Sequence, residues 1–418
     1  MCKLDKLGKQ AYHKGKPLFV YKNTVRVPPL EMVDDLAIAT LCNNYAIIAI
    51  SIVNTFVENQ KLTLSNKKCH QIHFGKPKLF CSLLNVHESK MKRSEAEKYL
   101  GNITTSDGSN KTNSKSRVSK GFGFVAEILS IVKEIPFGQF QLEVALKLRE
   151  SMLINGMLTS SEVCYGISKI EIENLEKVNE YLLREVLQAQ SKTPIEMLYL
   201  ETGVLPIKFV LISRRLSYLK HILDQNDHEL INKFYVAQKR NPVRNDWVLT
   251  VDEDKILINY KYSDNQIKEM SKRQFKKILK EKVQKSAFIL LQSIKETHSK
   301  VNEVIYYEFS IQKYLTSSKF TMKEKQLLFK RRTRMLDTKA NFKNMHTYNL
   351  KCDYCDECDL QTQRHLLEDC DGIISNCEEV SDNVTVEHDD IFGEPEEQLR
   401  VTKLYIKIQE IIDTVYRT

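Results

Sequence analysis

Met32-Val33-Asp34-Asp35-Leu36 sets two adjacent carboxylates between apolar runs. An unpaired buried charge is costly, so such a pair either coordinates a cation or sits at an exposed turn. Met32-Val33 and Leu36-Ala37-Ile38 read as two strands joined tightly at the aspartates. Just upstream, Leu18-Phe19-Val20-Tyr21 and Thr24-Val25-Arg26-Val27 read as a hairpin around Lys22-Asn23. Downstream, residues 44–60 read as a helix. Residues 68–74 alternate, with Cys69, Gln71 and His73 on one face, and read as a strand. Ser106-Asp107-Gly108-Ser109 is a turn.

From about residue 113 the periodicity becomes helical. Val118, Phe122, Val125, Ile128, Leu129 and Val132 keep the three-and-four spacing of one helix face. Further helices are predicted over 137–160, 170–189, 206–224, 227–238, 265–298 and 322–336, with Pro194, Pro206 and Pro242 as punctuation. Residues 371–398 are acidic and read as disordered. A last amphipathic helix is predicted over 398–415, through Leu399, Leu404, Ile408 and Ile411. Only 22 of the 418 residues are Gly or Pro, and 42% are hydrophobic. Those values exclude a collagen-like or wholly low-complexity chain and disfavour an all-β sandwich. The expected fold class is therefore mainly α, with a small α+β region at the N-terminus.

Residues 36–57 carry no formal charge, and on length they could span a bilayer. Asn43, Asn44 and Asn54 lie within that run, and Asp34-Asp35 abut it, which is costly in hydrocarbon. A buried strand followed by a buried helix explains the run equally well. The expectation is no membrane partner. The N-terminus has no apolar stretch resembling a secretory leader.

The net charge of +9 conceals a split. Residues 351–418 hold 6 Lys/Arg against 18 Asp/Glu, which leaves residues 1–350 at +21. A basic body attracts polyanions, and nucleic acid is the commonest. Lys111, Lys115, Arg117 and Lys120 precede the first long helix, and Lys115, Arg117 and Lys120 are candidate nucleic-acid-binding residues. Lys330-Arg331-Arg332-Thr333-Arg334 forms a second cluster, read as phosphate contacts. Lys268, Lys272, Arg273, Lys276, Lys277, Lys280, Lys282 and Lys285 decorate a helix whose apolar side is Ile267, Phe275, Ile278, Leu279 and Val283. That decoration reads as a solvated face.

Five of the ten cysteines crowd into 26 positions: Cys352, Cys355, Cys358, Cys370 and Cys377. Crowding of this kind points to reduced thiols and one metal cluster rather than a secreted disulfide framework. Cys352, Cys355, His365 and Cys370 supply three thiolates and an imidazole, enough to close a tetrahedral structural Zn²⁺ site. Cys355, Cys358, His365 and Cys370 form a rival register, with Cys377 to spare. A site with four protein ligands leaves no position for a reacting water, so the metal is structural.

Three motifs follow one another within 75 residues: the Asp34-Asp35 hairpin, the stretch Asn66-Lys67-Lys68-Cys69-His70-Gln71-Ile72-His73-Phe74-Gly75-Lys76, and Tyr99-Leu100-Gly101 followed by Ser106-Asp107-Gly108. With the helices and the Cys-Cys-His-Cys cluster behind them, they resemble the C-terminal part of a non-LTR retrotransposon reverse transcriptase. Leu148-Arg149-Glu150-Ser151-Met152, Met197-Leu198-Tyr199-Leu200-Glu201, Ser213-Arg214-Arg215-Leu216 and Glu296-Thr297-His298-Ser299-Lys300 resemble that family's thumb and linker, so the likeness covers nearly the whole chain.

The resemblance implies a partial palm over 1–110, a helical thumb over 111–240, a basic helical linker over 241–345, a zinc knuckle over 346–375 and an acidic tail with a terminal helix over 376–418. It implies that Asp34 and Asp35 hold Mg²⁺ in an intact RNA-directed DNA polymerase. Lys68 would act near the pyrophosphate, and Tyr99, Leu100 and Gly101 would grip the primer. RNA, RNA–DNA hybrid or DNA duplex are the implied partners. An intracellular place is implied, in the nucleus or a cytoplasmic ribonucleoprotein. Only 33 residues precede Asp34, so fingers and a further palm carboxylate are expected to be missing. The chain is then expected to bind nucleic acid without extending a primer on its own, as a remnant or a domesticated protein.

Overall fold

The computed structural model describes residues 12–13, 16–17, 20–21, 25–26, 30–32, 35–40, 42–374, 403, 406 and 407. Within 42–374 it leaves aside 66, 75–82, 87–88, 136–139, 165, 245, 303, 337, 340, 342–349, 356–359, 363–364 and 367–369. The described chain is mainly helical, with short two-stranded pairings confined to the N-terminal part. It divides into two compact units. One holds Met1–Ser119, Leu158–Glu173 and Leu211–Lys282, and the other Lys120–Met157, Asn174–Val210 and Val283–Thr418.

The first unit opens with hairpin-like pairs. Tyr12–His13 pairs with Lys16–Pro17, and Val20–Tyr21 with Val25–Arg26, the hairpin expected around Lys22-Asn23. Strands β1 (Leu30–Met32) and β2 (Asp35–Ala37) are antiparallel, with Met32 opposite Asp35. That register moves the turn one residue back from the aspartate pair. Asp35 begins the second strand, while Val33 and Asp34 lie outside the described residues.

Helix α1 (Asn43–Asn59) follows. It buries Ala49, Val53 and Val57, a stripe at i, i+4 and i+8. A small core of Leu84, Val86 and Met91 packs against Ala46 and Ile50 of this helix. No helix among the described residues is long and apolar enough to cross a membrane. The uncharged run is divided between β2 and α1.

Strands β3 (Ala96–Tyr99) and β4 (Asn102–Thr105) form the best-registered hairpin, closed by Leu100-Gly101. Both turn residues have positive φ, +47° and +86°, as a two-residue hairpin turn of right-handed twist requires. Helix α2 (Lys111–Lys133) starts directly after it.

The helical part of the same unit includes α7 (Leu230–Arg240), α8 (Trp247–Leu257) and α9 (Asp264–Glu269). The single tryptophan, Trp247, donates its indole N–H to the Glu162 carbonyl at 2.8 Å and meets Tyr218 and Tyr235 edge-on. Arg215 grips Asp254 with two hydrogen bonds, 2.6 and 2.8 Å, in the interior. The helix predicted over 265–298 is two helices. α9 carries a Ser263/Gln266 capping box, Met270 is extended, and α10 (Lys272–Lys295) restarts with Ser271 Oγ accepting from the Gln274 N–H. A second start signal inside one periodic run ended the first helix.

In the second unit α3 (Gln141–Leu148) runs into a π-helical turn at Arg149–Ile154. At its start Arg149, wholly buried, donates to Asn179 Oδ1 at 2.6 Å and to the Leu205 carbonyl at 3.0 Å, and it pairs with Glu150. Helices α4 (Lys169–Leu187) and α6 (Ile207–Asp224), whose residues are divided between the two units, match the predicted 170–189 and 206–224. Between them α5 (Ile195–Thr202), unpredicted, begins after Pro194 and ends on Gly203 at φ +64°. Helix α12 (Met322–Arg332) stops at a capping-box-started eleven residues, because Arg334 turns to φ +56°. The short helix α11 (Lys313–Thr316) lies before it, and α13 (Asp371–Ile374) after. Residues 375–402, and with them the expected disorder and most of the terminal helix, lie outside the described residues.

Candidate metal centre and hairpin pair

Cys352, Cys355, His365 and Cys370 bring one ligand atom each to within 4.8 Å of one another. Cys352 Sγ lies 3.7 Å from Cys370 Sγ, and Cys355 Sγ 3.3 Å from His365 Nε2. In a tetrahedral shell with metal–sulfur bonds of about 2.3 Å, two sulfurs are about 3.8 Å apart and a sulfur and an imidazole nitrogen about 3.6 Å. These two edges are close to those of a tetrahedron around a small soft cation, and all four ligand atoms lie within 4.8 Å of one another.

Local chain geometry explains the convergence. Lys351 and Leu360 form an antiparallel bridge, and the Gln361 N–H donates to the Leu350 carbonyl at 2.9 Å. This closes a loop that turns Cys352 and Cys355 inward. The Tyr354 N–H donates to Cys352 Sγ at 3.4 Å, an interaction that stabilises a thiolate. Thr362 Oγ1 accepts from the His365 N–H at 3.1 Å and starts the turn that presents the imidazole. Gly372 in α13 lies so close to the Tyr354 carbonyl that any Cβ would overlap it. The backbone after Cys370 thus packs on the backbone between the first two cysteines. Lys339 pairs with Asp353 and donates to the Lys351 carbonyl at 3.0 Å, tying the loop to the preceding segment. Cys358 and Cys377 lie outside the described residues. Three of the four ligand residues are buried, and Cys355 is half-buried.

The hairpins of the first unit meet on β3. The Tyr99 hydroxyl donates to the Leu30 carbonyl of β1 at 3.3 Å. Glu97, two residues earlier and so on the same face of the strand, lies 3.0 Å from His70 Nδ1. His70–Gln71 is a short strand, paired in parallel with Lys92–Arg93. Gln71 contacts His73 at 2.6 Å, as their shared face predicts. Lys68, exposed, sits in the turn just before His70. One face of β3 therefore holds the strand leading into Asp34-Asp35 and the strand that follows Lys68.

The basic residues separate into two kinds. Lys115 and Lys120 are exposed on α2. Arg117, between them, is 9% exposed and donates to Asn102 Oδ1 at 2.8 Å. With Asn113, which bonds Ile103 and Asn102, it fastens α2 to β4. Arg331 and Arg332 are 2% and 3% exposed. Arg332 donates to Glu201 Oε1 at 2.8 Å, lies over the Tyr314 ring at 5.4 Å and shares Glu201 with the Tyr306 hydroxyl. Burial opposes its charge, yet the Glu201 carboxylate outweighs that and holds the guanidinium above its ordinary pKa. Arg117, Arg331 and Arg332, read from the sequence as nucleic-acid-binding candidates, are thus buried, and Asn102 and Glu201 hold two of the three guanidinium groups. Lys330 and Arg334 remain half-buried at the edge of that cluster.

No sequence signal marked Glu201, Tyr306 or Tyr314 as partners, because each is remote from Arg332 in the chain. No protein-family model, no curated protein and no solved structure matches this chain.

Proposed function

We propose that the chain is the C-terminal portion of an RNA-directed DNA polymerase of the non-LTR reverse transcriptase type, and that it binds RNA or RNA–DNA hybrid. The observation that carries this reading is the meeting of motifs on β3, where Tyr99 takes the Leu30 carbonyl and Glu97 takes His70. Segments carrying or adjoining the three motifs thus meet at one strand. In the intact polymerase Asp34 and Asp35 would hold Mg²⁺, Lys68 would stand near the departing pyrophosphate, and the Tyr99-Leu100-Gly101 turn would support the primer end. The cysteine and histidine cluster would hold Zn²⁺, since three thiolates and one imidazole at tetrahedral spacing suit that ion and leave no open coordination position. Its role is to fold residues 350–374.

The second reading is a nucleic-acid-binding protein without polymerase activity. It draws on the +21 charge of residues 1–350. An RNA template annealed to a DNA primer separates the two. Titration into the 418-residue chain should show binding that weakens with salt, with a log–log slope of about −0.7 to −0.9 per phosphate contact. Extension of the primer with Mg²⁺ that disappears in Asp34→Ala/Asp35→Ala supports the polymerase. Binding without extension supports the second reading, and affinity independent of salt overturns both.

A further inference from the structure

We propose that Arg273, Lys276, Lys277 and Lys280 on α10 form the surface that takes the phosphate backbone of RNA, an inference that rests on the nucleic-acid reading above. Their spacing of i, i+3, i+4 and i+7 puts all four on one side of the helix. All four are exposed, while Phe275 and Leu279 of the same helix are buried on the other side. None of the four makes an ion pair with a described residue. Other lysines of the same unit are matched: Lys239 and Lys255 share Asp264, and Lys220 pairs with Asp224. Glu281 is the sole acid between 272 and 285.

Like charges three and four residues apart on a helix repel. Arg273–Lys276, Arg273–Lys277, Lys276–Lys280 and Lys277–Lys280 are four such pairs on two turns. An ordinary solvated face relieves this with interspersed acids; here the single acid is Glu281, four residues after Lys277. A polyanion relieves it on binding. Seven residues of helix rise span roughly 10 Å, so the stripe presents four cations to a phosphate backbone over two turns, and Arg273 adds a guanidinium able to bind one phosphate bidentately. Nothing in the stripe reads bases, so the partner is recognised by its backbone.

The test compares three full-length chains on one RNA: wild type, Arg273→Gln/Lys276→Gln/Lys277→Gln/Lys280→Gln, and a control that removes the same charge elsewhere, Lys169→Gln/Lys177→Gln/Lys233→Gln/Lys261→Gln. All eight positions are exposed, so both variants should keep the wild-type circular dichroism. The stripe variant should have a salt slope shallower by about 3, and the control a slope close to wild type. Equal flattening in both variants, or an unchanged slope in the stripe variant, overturns the stripe and leaves RNA binding in place. Wild-type chain that does not bind RNA overturns the nucleic-acid reading itself, and the stripe with it.

Discussion

Arg332 Nε donates to Glu201 Oε1 at 2.8 Å, and neither side chain reaches solvent, at 3% and 0% exposure. The Tyr306 hydroxyl completes the grip on the same carboxylate. Removing one partner of a buried ion pair leaves the other charge stranded, at a cost of about 3–5 kcal/mol. Arg332→Gln and Glu201→Gln are each expected to lower the unfolding free energy by about that amount in denaturant titration. RNA affinity of the folded fraction should stay near wild type. A large affinity loss with unchanged stability would return Arg332 to a phosphate-binding role.

Spacing left two registers open for the candidate metal centre, and the described residues bring Cys352 together with Cys355, His365 and Cys370, with Cys352 Sγ 3.7 Å from Cys370 Sγ. Cys352→Ser and Cys370→Ser should each abolish stoichiometric Zn²⁺ binding, and Cys358→Ser should retain it, as read by metal analysis of the purified chain. Structural zinc contributes an apparent 10–16 kcal/mol, roughly, in small peptides. Chelation should therefore unfold residues 350–374 and raise their hydrogen exchange. Full zinc in Cys352→Ser with loss in Cys358→Ser would establish the rival register.

What the sequence made legible here is local. The four ligands lie within 19 positions of chain, and soft donors at such spacing have few alternatives. The mainly helical class followed from three-and-four periodicity, and the break at Met270-Ser271 was hidden because the apolar pattern runs straight across it. The meaning of Arg331-Arg332 was not legible. A basic run reads as surface unless its partner is known, and Glu201 stands 131 residues away. Arg117 misleads in the same manner: its face of α2 is claimed by Asn102 of the preceding hairpin.

Gly372 tests whether the centre depends on backbone packing as well as on ligands. Its Cα sits where a Cβ would collide with the Tyr354 carbonyl, which is backbone and cannot rotate away. Overpacking of that sort costs about 1–3 kcal/mol. Gly372→Ala should bind Zn²⁺ roughly tenfold or more weakly in a chelator competition, although every ligand is retained. Unaltered affinity would show that α13 is free to move off the cysteine loop.

The Tyr99 hydroxyl links two hairpins through one hydrogen bond to the Leu30 carbonyl. A single neutral hydrogen bond contributes about 0.5–1.5 kcal/mol, and at 3.3 Å the lower end applies. Tyr99→Phe is expected to destabilise the chain by less than about 1 kcal/mol while speeding amide exchange in β1 and β3. Slowed or unchanged exchange in β1 would mean that the two hairpins are held together by other contacts.

Asp264 provides a pH-dependent check on the helical part of the first unit. Burial alone would raise its pKa, but hydrogen bonds from Lys239, Tyr235 and Lys255 outweigh that and hold the carboxyl down at about 2. An unfolded chain gives aspartate its ordinary value of about 3.9. Because the folded value is the lower one, the unfolded state binds the proton more readily. The contribution is therefore fully present above about pH 4 and is lost as pH falls from there toward 2. The difference corresponds to an upper bound of about 2–3 kcal/mol at neutral pH, which solvent screening of the half-buried carboxyl reduces. Asp264→Asn should lose this stability at pH 7 and show a weaker dependence on pH between 4 and 2, measured as unfolding free energy in urea at each pH. The two chains should converge in stability near pH 2. A variant whose curve runs parallel to wild type through that window would show that Lys239, Tyr235 and Lys255 do not hold Asp264 ionised.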